Sequence, residues 1–166
     1  SMGVSEALVY VELFGQATLR ALVLVDGTIG EDPNPQEIAR EWGWVRQLQL
    51  DRRAFTEKFV RGMYRKPQSE AYLKKIASAS LKTPTNTAVA LIANRMARGD
   101  LRPVLAEVSR PVLYVVTPQL KAQAEMLRAR LPWARVEVFE DCGHALFVDD
   151  AARFNKLVEE FLGAAR

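Results

Sequence analysis

Cysteine and histidine are almost missing from this 166-residue chain, which carries one of each. A single cysteine excludes an intrachain disulfide framework, and with a single histidine it also excludes a Cys/His zinc site. Nothing in the cysteine usage points to an oxidising compartment, so the cytoplasm is the expected setting. Long hydrophobic runs are missing too. The longest, such as Ala21 to Val25 and Val112 to Val116, fall far short of a bilayer, and no charged-then-apolar signal segment opens the sequence, so a membrane is not expected as a partner. Basic residues form no block interleaved with aromatics. The 23 Lys and Arg against 20 Asp and Glu leave +3, scattered over helical faces, and nucleic acid is not indicated. No internal repeat or low-complexity tract occurs.

What is present is the composition of a folded domain, 49% hydrophobic and 26% charged, which favours small-molecule chemistry on one core. Val4 to Phe14 places Ala7, Leu8, Val11, Leu13 and Phe14 on most faces of a helix, as burial against a sheet requires, with Gly15 as its stop. Arg20 to Val25 is a continuous Leu/Val run, the pattern of a parallel strand covered on both sides, and it ends at Asp26-Gly27-Thr28. A turn-rich hinge, Gly30-Glu31-Asp32-Pro33-Asn34-Pro35, then introduces helices. Apolar residues recur at helical spacing as Ile38, Trp42, Val45 and Leu48; as Phe55, Phe59 and Met63; as Tyr72 and Ile76; and as Val89, Ile92 and Met96. Pro67, Pro84 and Gly99-Asp100 punctuate these four short helices.

The α/β rhythm resumes with Pro111 to Thr117 as a strand, Leu120 to Leu131 as a helix, Arg135 to Glu140 as a strand and Asp150 to Ala165 as a closing helix. That alternation predicts a parallel sheet. The expected organisation is therefore α/β: a core of residues 1–27 and 109–166, interrupted by a helical cap over residues 28–108. The solitary His144 follows the last strand in Asp141-Cys142-Gly143-His144. A histidine there is either a structural loop residue or a catalytic base delivered to the carboxyl edge of the sheet. Cys142 fits a small buried residue, and Asp141 fits a residue that shapes the loop.

Ser1-Met2-Gly3 followed by a helix, a strand ending in Leu-Val-Leu-Val-Asp, a helical insert, a strand opening with Arg-Pro-Val-Leu and a late Gly-His before the final helix resembles the C-terminal half of a capped α/β-hydrolase. The resemblance covers the whole chain in element order. It implies a partial α/β-hydrolase fold, with the parallel strands of the C-terminal half and a four-helix cap insertion. Of the Gly-x-Ser-x-Gly elbow only Ser1-Met2-Gly3 is present. Ser1 and Met2 also fit the remnant of a protease cut.

On this resemblance Ser1 is the nucleophile, His144 the base, and the backbone N–H of Met2 an oxyanion donor. The loop in which most relatives place the acid reads Thr117-Pro118-Gln119-Leu120-Lys121 and has no carboxylate. Asp26, at the end of the preceding strand, is the substitute acid, unless it serves its Asp-Gly-Thr turn alone. Trp42, Trp44, Phe55, Phe59, Tyr64 and Tyr72 either line an acyl pocket, the first four above all, or pack the cap onto itself.

The activity so implied is hydrolysis of a small carboxylic ester or related acyl substrate, without metal or organic cofactor. The expected partner is the N-terminal half of the same hydrolase, because a sheet cut before its nucleophile leaves an open edge. The alternatives are a non-catalytic scaffold of the same fold, motivated by the empty acid loop, and an N-terminal-nucleophile amidohydrolase using the Ser1 amine as base.

Overall fold

A computed structural model describes residues 1–30, 35–97 and 99–164. The middle of the expected hinge, Glu31 to Asn34, together with the Met96 side chain and Ala165, lies outside the described residues. The chain divides into two compact units, one of residues 1–31 and 100–166 and one of residues 32–99. The helical unit is thus narrower than the 28–108 segment expected from the sequence. Residues 100–108 group with the sheet because Leu101, Val104, Leu105 and Val108 are buried in its core through a 3-10 turn, Pro103–Glu107, that sequence periodicity did not reveal.

The first unit is built on three parallel strands in the order β1 (Leu22–Val25), β2 (Val112–Val116), β3 (Arg135–Val138). The register aligns Leu22 with Val112 and Leu113 with Arg135. All of β2 is buried, as its unbroken apolar run demands of a central strand. Its side chains alternate between two cores. Val112, Tyr114 and Val116 join Leu22 and Leu24 beneath α1 (Met2–Phe14) and α6 (Lys121–Arg130), through Val4, Leu8, Val11, Ala124 and Leu127. Leu113 and Val115 face the other side, with Phe139, Cys142, Leu146, Leu157 and Phe161.

Gly15 ends α1 at φ 68, a left-handed value that suits glycine. Strands β1 and β3 are shorter than the runs Arg20 to Val25 and Arg135 to Glu140, because ladder pairing begins at Leu22 and ends at Val138. The closing helix is preceded by one extra turn, α7 (Leu146–Asp149), and runs as α8 over Ala151–Ala164.

The second unit contains α2 (Pro35–Leu50), α3 (Arg52–Gly62), α4 (Glu70–Ser80) and α5 (Thr85–Ala97). Asp51 and Ser69 cap α3 and α4 by accepting the N–H groups of Ala54 at 2.9 Å and Tyr72 at 3.2 Å. Val60, Leu73 and Ala77 form the α3–α4 contact, which the bidentate Arg61–Glu70 pair clasps from outside at 2.7 and 2.6 Å.

One glycine governs how the turn after β1 meets the start of α1. A Cβ on Gly27 would lie 2.2 Å from the carbonyl oxygen of Ser1 and 2.8 Å from Cγ2 of Val4, whereas one on Gly163 would meet nothing within 4 Å. Gly27→Ala should therefore cost about 1–3 kcal/mol of stability by overpacking, while Gly163→Ala leaves the thermal midpoint unchanged or higher. Equal midpoints for the two variants in thermal denaturation would contradict this packing.

Candidate active site

The carboxyl ends of the three strands deliver Asp26, Thr117 and the His144 loop to one edge of the sheet. Asp26 follows β1 directly, with φ 42. This left-handed conformation is one that Asp and Asn tolerate better than most residues. The Asp26 N–H continues the ladder by donating to the Val115 carbonyl at 2.8 Å. Beyond it, the buried Tyr114 hydroxyl donates to the Gly27 carbonyl at 2.7 Å. Gln123, also buried, brackets the next turn by accepting from the Ile29 N–H and donating to the Gly30 carbonyl, each at 3.0 Å. The turn that carries Asp26 is held at every step.

The Asp26 carboxylate is 6% exposed and fully engaged. Its Oδ1 accepts the Thr117 N–H at 2.7 Å and the Thr117 hydroxyl at 2.8 Å, and its Oδ2 lies 2.7 Å from Nδ1 of His144. Burial pushes the carboxyl up, but the hydrogen bonds from His144 and from the Thr117 N–H and hydroxyl, with the attraction of the imidazole, outweigh it and leave Asp26 below the ordinary value. An ionised carboxylate can only accept, so Nδ1 of His144 carries the proton and Nε2 is left as the basic nitrogen. The imidazole side chain is 36% exposed, enough to meet a substrate.

The His144 loop has its own anchor. Asp149, buried in α7, accepts the Gly143 N–H through Oδ2 at 2.7 Å. Asp141 was expected to shape this loop, but it is exposed, and the carboxylate that grips the backbone beside His144 comes from the turn after it. Cys142 is buried in the second core.

Ser1 is fastened to the same edge through its backbone. Its nitrogen donates to the Val25 carbonyl, the residue before Asp26, and its carbonyl accepts the Val4 N–H at 3.0 Å and packs on Gly27. Ser1 is the N-cap of α1, yet its hydroxyl makes no side-chain capping bond, unlike the carboxylate of Asp51 and the hydroxyl of Ser69. Met2 is the first residue of α1, where backbone N–H groups lack intrahelical acceptors and the helix dipole favours negative charge. Gly3 meets nothing within 4 Å, so no contact in this chain demands a glycine there.

The aromatic quartet of the helical unit separates. Trp44, Phe55 and Phe59 form one cluster, with Trp44 edge-on to Phe59 at 6.4 Å and Phe55 stacked on Phe59 at 6.0 Å. Trp42 stands 55% exposed, and Tyr64 pairs with Tyr72 at 5.8 Å. Among the described residues no group of three or more His, Cys, Asp or Glu is placed to hold a metal ion, and no helix is long and apolar enough to cross a membrane.

Comparison with solved structures meets this geometry. An esterase from Exiguobacterium antarcticum matches with a TM-score of 0.85 at 21% identity, over 97% of this chain and 64% of its own. A putative aryl esterase from Burkholderia cenocepacia matches with 0.82 at 18% identity, over 99% and 62%, and a bromoperoxidase from Bacillus anthracis with 0.85 at 18% identity, over 98% and 65%. The chain carries part of the α/β-hydrolase fold. It spans less than two thirds of the length of these α/β-hydrolase-fold structures. No family model and no curated protein matches the sequence.

The loop after β2, empty of carboxylates, contributes the donors that grip one from the neighbouring strand. Thr117 and Asp149 were not singled out from the sequence. The signal for Thr117 was a hydroxyl residue at the end of a fully apolar strand, and for Asp149 an acid five residues after the histidine, just before the last helix. Because the folded-state pKa of Asp26 lies below the unfolded one, its contribution to stability is full above about 3.9 and is lost as pH falls through the folded value. The gap in thermal midpoint between the wild type and Asp26→Asn should therefore hold from pH 7 down to about 4 and shrink as pH falls below about 3.9. A gap that stays constant across the titration would show that the carboxylate is not held as described.

Proposed function

We propose that this protein is a serine hydrolase acting on a small carboxylic ester or related acyl compound, and the observation that carries the reading is the 2.7 Å contact between Nδ1 of His144 and Oδ2 of Asp26 at the sheet edge where Ser1 is anchored. The Ser1 hydroxyl attacks the carbonyl carbon as Nε2 of His144 takes its proton. The resulting oxyanion is met by the Met2 N–H at the start of α1. Collapse breaks the bond to the alcohol, which leaves with the proton from His144. Water then attacks the acyl-serine by the same route, releasing the acid. Asp26 keeps His144 in the tautomer that leaves Nε2 basic. Side chains and backbone N–H groups carry every step, without a cofactor.

The esterases among the structural neighbours support acyl-transfer chemistry for this chain. Within the helical unit, the Trp44, Phe55 and Phe59 cluster offers apolar surface to the acyl or aromatic part of the substrate. The partner is the remaining, N-terminal part of the same fold, whose strands continue the sheet along the outer edge of β1. The fraction of the neighbours left uncovered supports this, as does the end position of β1 in the strand order. With one buried cysteine and no disulfide to protect, a cytoplasmic setting fits.

A fluorophosphonate probe applied to the protein as isolated, with any polypeptide that accompanies it, should form its adduct on Ser1, and peptide mapping reads the site. Labelling elsewhere, or none, would remove Ser1 as the nucleophile. Asp26→Asn should retain the fold, since Asn tolerates φ 42, yet lower turnover by about four orders of magnitude, as expected when the orienting acid of a triad is lost. Turnover within a few-fold of the wild type would remove Asp26 from the mechanism.

A further inference from the structure

The Asp26 carboxylate presents its two oxygens to different partners. Oδ2 serves His144, while both Thr117 donors converge on Oδ1 at 2.7 and 2.8 Å. The torsion that turns a carboxylate about Cβ–Cγ is broad and weakly held by rotamer preference. Something else must set the plane of this group. The burial of Asp26 removes water as an alternative donor, and Thr117 is itself only 2% exposed. A hydroxyl facing an ionised carboxylate must donate its proton to it, so the Thr117 hydroxyl is committed to Oδ1. The branching at its Cβ further restricts χ1. The backbone N–H would be present with almost any residue at position 117, whereas the hydroxyl is the contribution of threonine.

We propose that Thr117 is a positioning residue that clamps Oδ1 of Asp26 so that Oδ2 stays aligned with Nδ1 of His144 while the imidazole gains and loses its proton. This rests on the serine-hydrolase reading. When Nε2 takes the Ser1 proton, the new imidazolium pulls on the carboxylate, and a carboxylate free to turn would follow the charge and change the aim of the ring. Two donors on the far oxygen oppose that turn. The loop that holds no acid of its own thereby fixes the direction in which the neighbouring strand's acid acts.

The test compares Thr117→Val, which removes the hydroxyl at nearly constant shape, with Thr117→Ser, which keeps it. On an ester substrate, Thr117→Val should lower kcat about tenfold, the rate equivalent of about 1.4 kcal/mol, with KM within about twofold of the wild type. Thr117→Ser should recover most of that loss. A second readout is independent of turnover: the chain has one histidine, so the ring N–H of His144 gives a single downfield proton resonance when hydrogen-bonded to Asp26. That resonance should move and exchange faster in Thr117→Val and stay in place in Thr117→Ser.

A folded Thr117→Val with wild-type kcat and an unmoved resonance would overturn the proposal. So would equal losses in both variants tracking a fall in thermal midpoint, which would mark Thr117 as structural only. If the wild type neither labels at Ser1 nor turns over esters, the hydrolase reading fails. The resonance comparison still decides whether Thr117 sets the aim of the carboxylate.

Discussion

The Asp26 carboxylate, buried at the end of β1 and shared between His144 and Thr117, is the interaction on which the rest of the site depends. A carboxylate withdrawn from water is costly unless its oxygens find donors. Three donors meet it, from the residue after β2 and from the loop after β3, so one charged group ties together the ends of all three strands. Charge, burial and hydrogen bonding thereby act on the same atoms. Their balance keeps Asp26 ionised, and an ionised Asp26 decides which nitrogen of His144 carries the proton.

That arrangement requires a rigid platform, and the sheet provides it. β2 is buried along its whole length between two apolar cores, and its residues appear again in the site: Tyr114 holds the Gly27 carbonyl, Val115 accepts from Asp26, and Thr117 follows the last ladder residue. The turn after β1 is strained at Asp26 and crowded at Gly27, where no larger residue fits beside the Ser1 carbonyl. Strain and crowding of this kind persist only when surrounding contacts over-determine the backbone, and they gather where a protein does chemistry. Here the over-determination comes from Tyr114, Gln123 and Thr117.

Much of this was legible before any coordinates. The two strongest apolar runs are strands because Leu and Val repeat without interruption, and the helices announce themselves through spacings such as Ile38, Trp42, Val45 and Leu48. His144 stands out by being solitary, and Asp26 by following a strand. Short elements were hidden. The 3-10 turn at Pro103–Glu107 and the single helical turn at Leu146–Asp149 are too brief to display a period. Thr117 and Asp149 escaped for a different reason: each acts on a backbone or carboxylate far away in sequence or around a turn, and nothing local marks such a bond. The loop Thr117 to Lys121 was read for a missing carboxylate, when its contribution is a pair of donors.

Periodicity and residue chemistry by themselves determined the order of strands and helices, the parallel sheet, and His144 as the candidate base, because these follow from local hydrophobic patterning and from which side chains can move protons near neutrality. Only the tertiary structure decided that Asp26 is the carboxylate bonded to His144. Their partnership spans 118 positions of sequence. It exists because parallel strands bring their carboxyl ends to one edge, a proximity written in the packing of the sheet and in no single stretch of chain.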